Sequence, residues 1–120
     1  MHELAAVRIV QEGPVAVVAL QGEVDLSNVQ EVRGEVLDAV PNSARALILN
    51  LSDATYLDSQ GIGMLLDITH RLRTRQQQLL LVIPKHTPVW SLLELLSVPN
   101  AIPVVGSTQE GVRRLADLPT

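Results

Sequence analysis

Ser59 lies in the stretch Leu57-Asp58-Ser59-Gln60-Gly61-Ile62-Gly63, between an apolar strand, Ala46–Leu51, and an amphipathic helix. That order puts one hydroxyl at an exposed helix N-terminus, beside a carboxylate and just ahead of two glycines. A helix N-terminus carries unpaired N–H groups and the positive end of the macrodipole. A phosphate is stable there, whether it belongs to a ligand or is carried on Ser59 itself. Either Asp58 or Ser59 can instead be the N-cap, and the residues alone leave that choice open.

Other chemistries fit less well. A nucleophile elbow places Gly two residues before its serine, and Leu57 stands there. The histidines after Ser59 are His70 and His86. His70 is eleven residues along the same helix (59 to 70), about 16 Å away and pointing along the rod. His86 opens a loop in a chain too short for a full hydrolase sheet. For metal binding, His2, His70 and His86 share no ligand spacing. Glu23, Asp25, Asp53 and Asp58 can converge, but three of them fall near strand ends, where solvated loop carboxylates also fall. Gly61 and Gly63 are too few for a phosphate loop, and no Lys follows them. Close packing of a helix on a sheet accounts for Gly63. Gly61 can share that task while leaving the Ser59 hydroxyl uncovered. No cofactor and no metal are expected.

The elements that must hold this motif follow from periodicity. Leu4–Val10 and Val15–Leu20 are β-branched runs, and Glu12-Gly13-Pro14 between them predicts an antiparallel hairpin. Ser27-Asn28-Val29-Gln30 is a capping-box pattern, with Ser27 as N-cap. Val29, Val32, Val36, Leu37 and Val40 then mark one helical face, and Pro41-Asn42 stops the helix. Ala46–Leu51 is apolar almost throughout, as a strand covered on both faces would be. The helix after Ser59 presents Ile62, Leu65, Leu66, Thr69 and Leu72. Leu79–Ile83 is a further buried strand. Thr87-Pro88 starts a short helix packed by Leu92, Leu93, Leu95 and Leu96. Ile102–Val105 is a last strand, and Ser107-Thr108-Gln109-Glu110 caps a helix bearing Val112, Leu115 and Ala116.

The predicted order is ββαβαβαβα, a single α/β domain over residues 1–120. Its mixed, mostly parallel sheet begins with an antiparallel hairpin. Leu118-Pro119-Thr120 is expected to fray.

Composition narrows the classes. At 120 residues, folding buries roughly two thirds of the chain's surface, enough for a core without staples. The chain is 47% hydrophobic but 2% aromatic, with no Phe, so that core is aliphatic. Without Cys there is no disulfide, thiolate metal site or Cys nucleophile, which fits a reducing cytosol. Nine basic and thirteen acidic residues, net −4, disfavour nucleic acid as a partner. Arg71, Arg73 and Arg75 are expected to complement a helix C-terminus. No apolar run approaches a membrane span, and Met1-His2-Glu3 lacks the order of a signal peptide. A cytoplasmic protein is expected.

Gly22-Glu23-Val24-Asp25 after the second strand, with Thr55-Tyr56-Leu57-Asp58-Ser59-Gln60-Gly61 after the third, resembles the STAS domains of anti-sigma factor antagonists. The element order agrees over nearly the whole chain, so a STAS-like fold is expected. The resemblance implies a protein-binding switch and not an enzyme. An unphosphorylated antagonist would bind an anti-sigma factor that is also a serine kinase, releasing a sigma factor. The kinase would then phosphorylate Ser59 and let go, and a phosphatase would reset the switch. Asp25 and Asp58 match acidic positions flanking the phosphoacceptor. The implied partner surface is Gly22, Glu23, Asp25, Asp58, Ser59, Gln60 and Gly61. The family commonly has Ser or Thr where this chain has Gln60. Two other readings are a STAS module that never cycles, such as a scaffold or a lipid-transport accessory subunit, and a serine hydrolase.

Overall fold

The computed structural model describes residues 5–11 and 13–116. Strand β1 (Ala6–Gln11) pairs antiparallel with β2 (Val15–Val24). From there the ladder is parallel, from β2 to β3 (Ala46–Leu57), to β4 (Gln78–Val82) and to β5 (Val104–Val105). The sheet order is β1-β2-β3-β4-β5. Helices α1 (Val29–Asp38), α2 (Ser59–Thr74), α3 (Pro88–Leu95) and α4 (Thr108–Ala116) complete a single α/β domain in the expected order. Leu4, Glu12 of the first turn, His2 and Leu118-Pro119-Thr120 lie outside the described residues.

Strand side chains alternate between faces, and the central strands are apolar on both. Leu47, Leu49, Leu79 and Leu81 share a cluster with residues of α1, α2 and α3. Ala46, Ile48, Leu80 and Val82 form a second cluster with Leu115 of α4. Covering both faces explains the apolar runs Ala46–Leu49 of β3 and Leu79–Val82 of β4. Gly111 lets α4 approach closely, because a Cβ there would lie 2.8 Å from Leu80 Cδ2. Thr87 caps α3, accepting from the Trp90 N–H, with Pro88 at the first turn as expected.

β2 runs to Val24 rather than Leu20, and β3 to Leu57 rather than Leu51. Polar Ser52-Asp53-Ala54-Thr55-Tyr56 stays extended because β2 pairs with it as far as Val24↔Leu57. β4 stops pairing at Asn50↔Val82, so among the described residues this part of β3 has no paired strand on its other side. Exposed polar side chains are stable there, so this part of the strand carries no apolar run. β5 starts at Val104, since Pro103 has no N–H to give a ladder. Leu66 is 44% exposed. α2 buries the stripe Ile62, Leu65, Ile68, Thr69 and Leu72, and Leu66 is turned about 100° from Leu65. α3 buries only Val89 and Leu93, leaving Leu95 79% exposed and Leu96 also exposed, and α4 buries Gly111 and Leu115 but leaves Val112 exposed. Gly63 is exposed, with nothing within 4 Å of the place a Cβ would occupy, so it is not a packing glycine.

Arg71 and Arg73 occupy the last turn of α2, as expected, and Arg75 is its C-cap. Arg73 donates to the Ala101 carbonyl at 3.2 Å. Arg71 pairs with Asp67 at 3.0 Å, and Arg33 of α1 reaches the same carboxylate at 3.5 Å.

Candidate functional site

The extended parts of β2 and β3 form a lip beyond the end of β4, with the start of β1 along the outer side of β2 (Ala6 opposite Gln21). Gly22 lies in the left-handed region at φ 85, where the β2–β3 register shifts before Glu23. Only glycine takes that conformation without a steric cost. The lip ends on the paired residues Val24 and Leu57, with the Asp58 N–H donating to the Val24 carbonyl at 3.3 Å. Asp25 and Asp58 therefore leave neighbouring strands at the same level. Parallel strands lie about 4.8 Å apart, so the two acidic turns share one end of the sheet.

At the start of α2 the capping question is resolved. Asp58 is the N-cap, its Oδ1 accepting from the Gln60 N–H at 2.9 Å and the Gly61 N–H at 3.0 Å. Ser59 is the first helical residue and is exposed, and its hydroxyl has no hydrogen-bond partner among the described residues. Gln60 is exposed beside it. Gly61 is buried, and a Cβ there would sit 3.1 Å from Leu57 Cδ2 and 3.5 Å from the Val24 carbonyl oxygen. Gly61 thus lets the helix start tight against the lip.

The turn from β2 into α1 differs from the expected capping box. Ser27 does not cap α1, which begins at Val29 with Asn28 as N-cap and no side-chain cap. The Ser27 N–H and hydroxyl instead donate to Asp25 Oδ1. Asn28 turns back to the strand, accepting from the Asp25 N–H at 2.9 Å and donating to the Glu23 carbonyl at 2.8 Å. Short polar side chains compete with helix capping through such local backbone bonds. Asn28 was therefore legible as a second Asx residue three places after Asp25, a signal that the Ser27 pattern masked.

Between the two turns lies an open groove of about 750 Å³, lined by Glu23, Asp25, Leu26, Ser27, Tyr56 and Asp58. Its apolar members stand well into solvent, Leu26 at 72% and Tyr56 at 48% exposure. Glu23, Asp25 and Asp58 are brought together here. Ser59 and Gln60 follow Asp58 at the helix start but do not line the groove. Asp25 is half-buried rather than open, because its carboxylate serves the Ser27 turn. Asp53 pairs with Gln21 in mid-strand and is outside the groove. His70 is exposed on α2, eleven residues past Ser59, and His86 follows β4 rather than the lip. Among the described residues, no three His, Asp or Glu side chains are grouped to hold a metal. No helix among them is long and apolar enough to cross a membrane.

The family model for the STAS domain matches residues 6–110, which includes the whole lip, both acidic turns and the start of α4. The chain belongs to the STAS domain family. This STAS domain is similar in structure to an anti-sigma factor antagonist from Mycobacterium paratuberculosis. That match has TM-score 0.82 and 18% identity, over 95% of this chain and 96% of the other. The anti-sigma factor antagonist SpoIIAA in its unphosphorylated form matches at TM-score 0.71 and 19% identity, over 98% and 100%. The phosphorylated form of SpoIIAA, a Bacillus cell fate determinant, matches at TM-score 0.62 and 18% identity, over 93% and 99%. The murine anion transporter Slc26a9 matches at TM-score 0.72 and 20% identity, over 82% of this STAS domain and 17% of the transporter. At these identities the likeness establishes the fold.

Proposed function

We propose that this STAS domain is a cytoplasmic anti-sigma factor antagonist whose binding state is set by phosphorylation of Ser59. Unmodified, it binds an anti-sigma factor with serine-kinase activity, and a sigma factor is released. The kinase transfers a phosphoryl group to the Ser59 hydroxyl, binding is lost, and a phosphatase restores it. The partner surface comprises Glu23, Asp25, Asp58, Ser59 and Gln60, while Gly22 and Gly61, both buried, shape it from beneath. The protein acts by binding, and no residue of this surface is assigned a catalytic role.

One observation carries this reading: Asp58 does the capping, so the exposed Ser59 hydroxyl is not needed for the fold. A group that holds no structural bond can be modified without unfolding the domain. A phosphate at the first helical position gains about 0.3–1 kcal/mol from the helix terminus. It also meets the Asp58 carboxylate. Two unit charges about 6 Å apart in water repel by about 0.7 kcal/mol, and by up to twice that for a dianion. The two effects roughly cancel within the domain. At an interface shaped for a neutral hydroxyl they do not, because buried unpaired charge costs about 2–5 kcal/mol. The folds of SpoIIAA in both phosphorylation forms support a switch that leaves the scaffold intact.

Titration calorimetry with the purified anti-sigma kinase tests the reading. Ser59→Ala should bind like the unmodified protein and stay bound in the presence of ATP. Ser59→Asp should bind at least about tenfold more weakly, and by less than phosphate does, since a carboxylate carries less charge and fewer oxygens. Equal affinity of both variants would sink the switch. The likeness to one part of an anion transporter favours a second reading, a STAS module that docks or scaffolds without cycling. In that case the kinase leaves Ser59 unmodified.

A further inference from the structure

Asn28 is a buried polar residue that helix capping does not explain, since its side chain caps nothing in α1. Its amide instead spans Val24, with Oδ1 accepting from the Asp25 N–H at 2.9 Å and Nδ2 donating to the Glu23 carbonyl at 2.8 Å. This pairing fixes the orientation of the amide, because only the oxygen accepts and only the nitrogen donates. The Glu23 carbonyl also accepts from the Ala5 N–H at 3.1 Å, so the strand end is tied from two sides. Val24 itself is the residue on which α2 begins. Its carbonyl accepts the Asp58 N–H at 3.3 Å, its Cα partner is Leu57, and its oxygen lies 3.5 Å from where a Gly61 Cβ would be. A continuous set of bonds thus runs from Asn28 through Glu23-Val24-Asp25 to Asp58 and on to the N–H groups of Gln60 and Gly61.

We propose that Asn28 is a positioning residue, holding the β2 end against the start of α2 so that Asp25 and Ser59 present one rigid docking surface. The functional half of this rests on the reading of Ser59 given above. A Ser or Thr hydroxyl also donates and accepts, but through one oxygen on a shorter side chain, so it does not span the two groups that Oδ1 and Nδ2 reach separately. Asp keeps the acceptor for the Asp25 N–H but loses the donor to Glu23.

Amide hydrogen exchange by NMR on Asn28→Ala and Asn28→Asp tests the structural half without any partner. Exchange is referred to the amides of Leu49 and Leu81, which are fully buried core residues and report whole-domain opening. With two backbone bonds lost, the Asp25 and Asp58 amides of Asn28→Ala should exchange about tenfold faster than the reference. In Asn28→Asp the Asp25 amide keeps its acceptor and should change by less than about threefold, while the Asp58 amide still accelerates about fivefold. Should Asn28→Ala fail to fold, the isosteric Asn28→Asp decides. An Asp58 amide that tracks the core reference overturns the proposal, because the clamp then stops at its own loop.

The docking half is read from phosphorylation of Ser59 by the purified anti-sigma kinase. KM for the variant should rise about tenfold with kcat within about twofold of the parent, a split that destabilisation alone would not produce. Faster Asp58 exchange with unchanged KM removes the docking role. If the kinase leaves Ser59 of the parent unmodified, the switch reading fails, and the exchange data still decide the clamp.

Discussion

Replacing Asp58 should cost the domain much more than replacing Ser59, although the two are neighbours. Asp58→Ala removes the acceptor of two N–H groups, at 2.9 and 3.0 Å. Loss of an N-cap costs about 1 kcal/mol, within a range of about 0.5–2. Loss of a negative charge at the helix N-terminus adds about 0.3–1 kcal/mol. Together the loss is about 1.5–2 kcal/mol. Unfolding entropy of about 2.1 cal/mol/K per residue gives near 0.25 kcal/mol/K for 120 residues, so Tm should fall by about 6–8 °C. Asp58→Asn keeps an acceptor and should lose about half as much. Ser59→Ala removes a hydroxyl with no partner among the described residues, and should stay within about 0.5 kcal/mol, or about 2 °C. Urea unfolding followed by circular dichroism measures all three, with equal m-values as the check that the unfolded states are comparable. If Ser59→Ala falls as far as Asp58→Ala, the hydroxyl is a capping group. It would then be committed to the fold and could not serve as a free phosphoacceptor.

Three further expectations follow from the packing and the turns. Gly63→Ala should stabilise by about 0.5–1 kcal/mol, since the helix gains propensity and the new methyl meets open space, whereas Gly111→Ala should destabilise by about 1–3 kcal/mol against Leu80 and Ile48; thermal melts of the pair check both signs. Leu49→Ala, a fully buried truncation in the main core, should cost about 2–5 kcal/mol in denaturant unfolding. Asp25→Asn, which keeps an acceptor for the Ser27 turn, should weaken kinase binding with little change in Tm, while Asp25→Lys should lose both binding and the turn; calorimetry and melts on the same samples separate the two effects.

What could be read in advance followed the apolar pattern. Leu47 to Leu51, apolar but for Asn50, and Leu79 to Ile83 announce buried parallel strands, because both sheet faces are covered and nearly every position is apolar. The stripe of Val29, Val32 and Val36 likewise announces α1. The lip did not show, since Ser52 to Tyr56 is held by one neighbouring strand and by backbone pairing that leaves no apolar trace. Leu95 and Leu96 misled because hydrophobicity alone does not say how many sides of a short helix find a neighbour. At the site, the motif residues were legible by type, but their division of labour was not. Which of Asp58 and Ser59 caps α2, and whether Ser27 or Asn28 matters at α1, depends on where each backbone N–H points once the strands are paired.

Ser59 as the phosphoacceptor of a partner switch is tested most directly by incubating the purified protein with its anti-sigma kinase and ATP and mapping the modified residue by mass spectrometry. A single phosphate on Ser59 is expected, with none on Ser59→Ala and with kinase binding lost in proportion to the fraction modified. Phosphate on Thr55 or Ser52, or none at all while the kinase modifies another antagonist, would contradict that role.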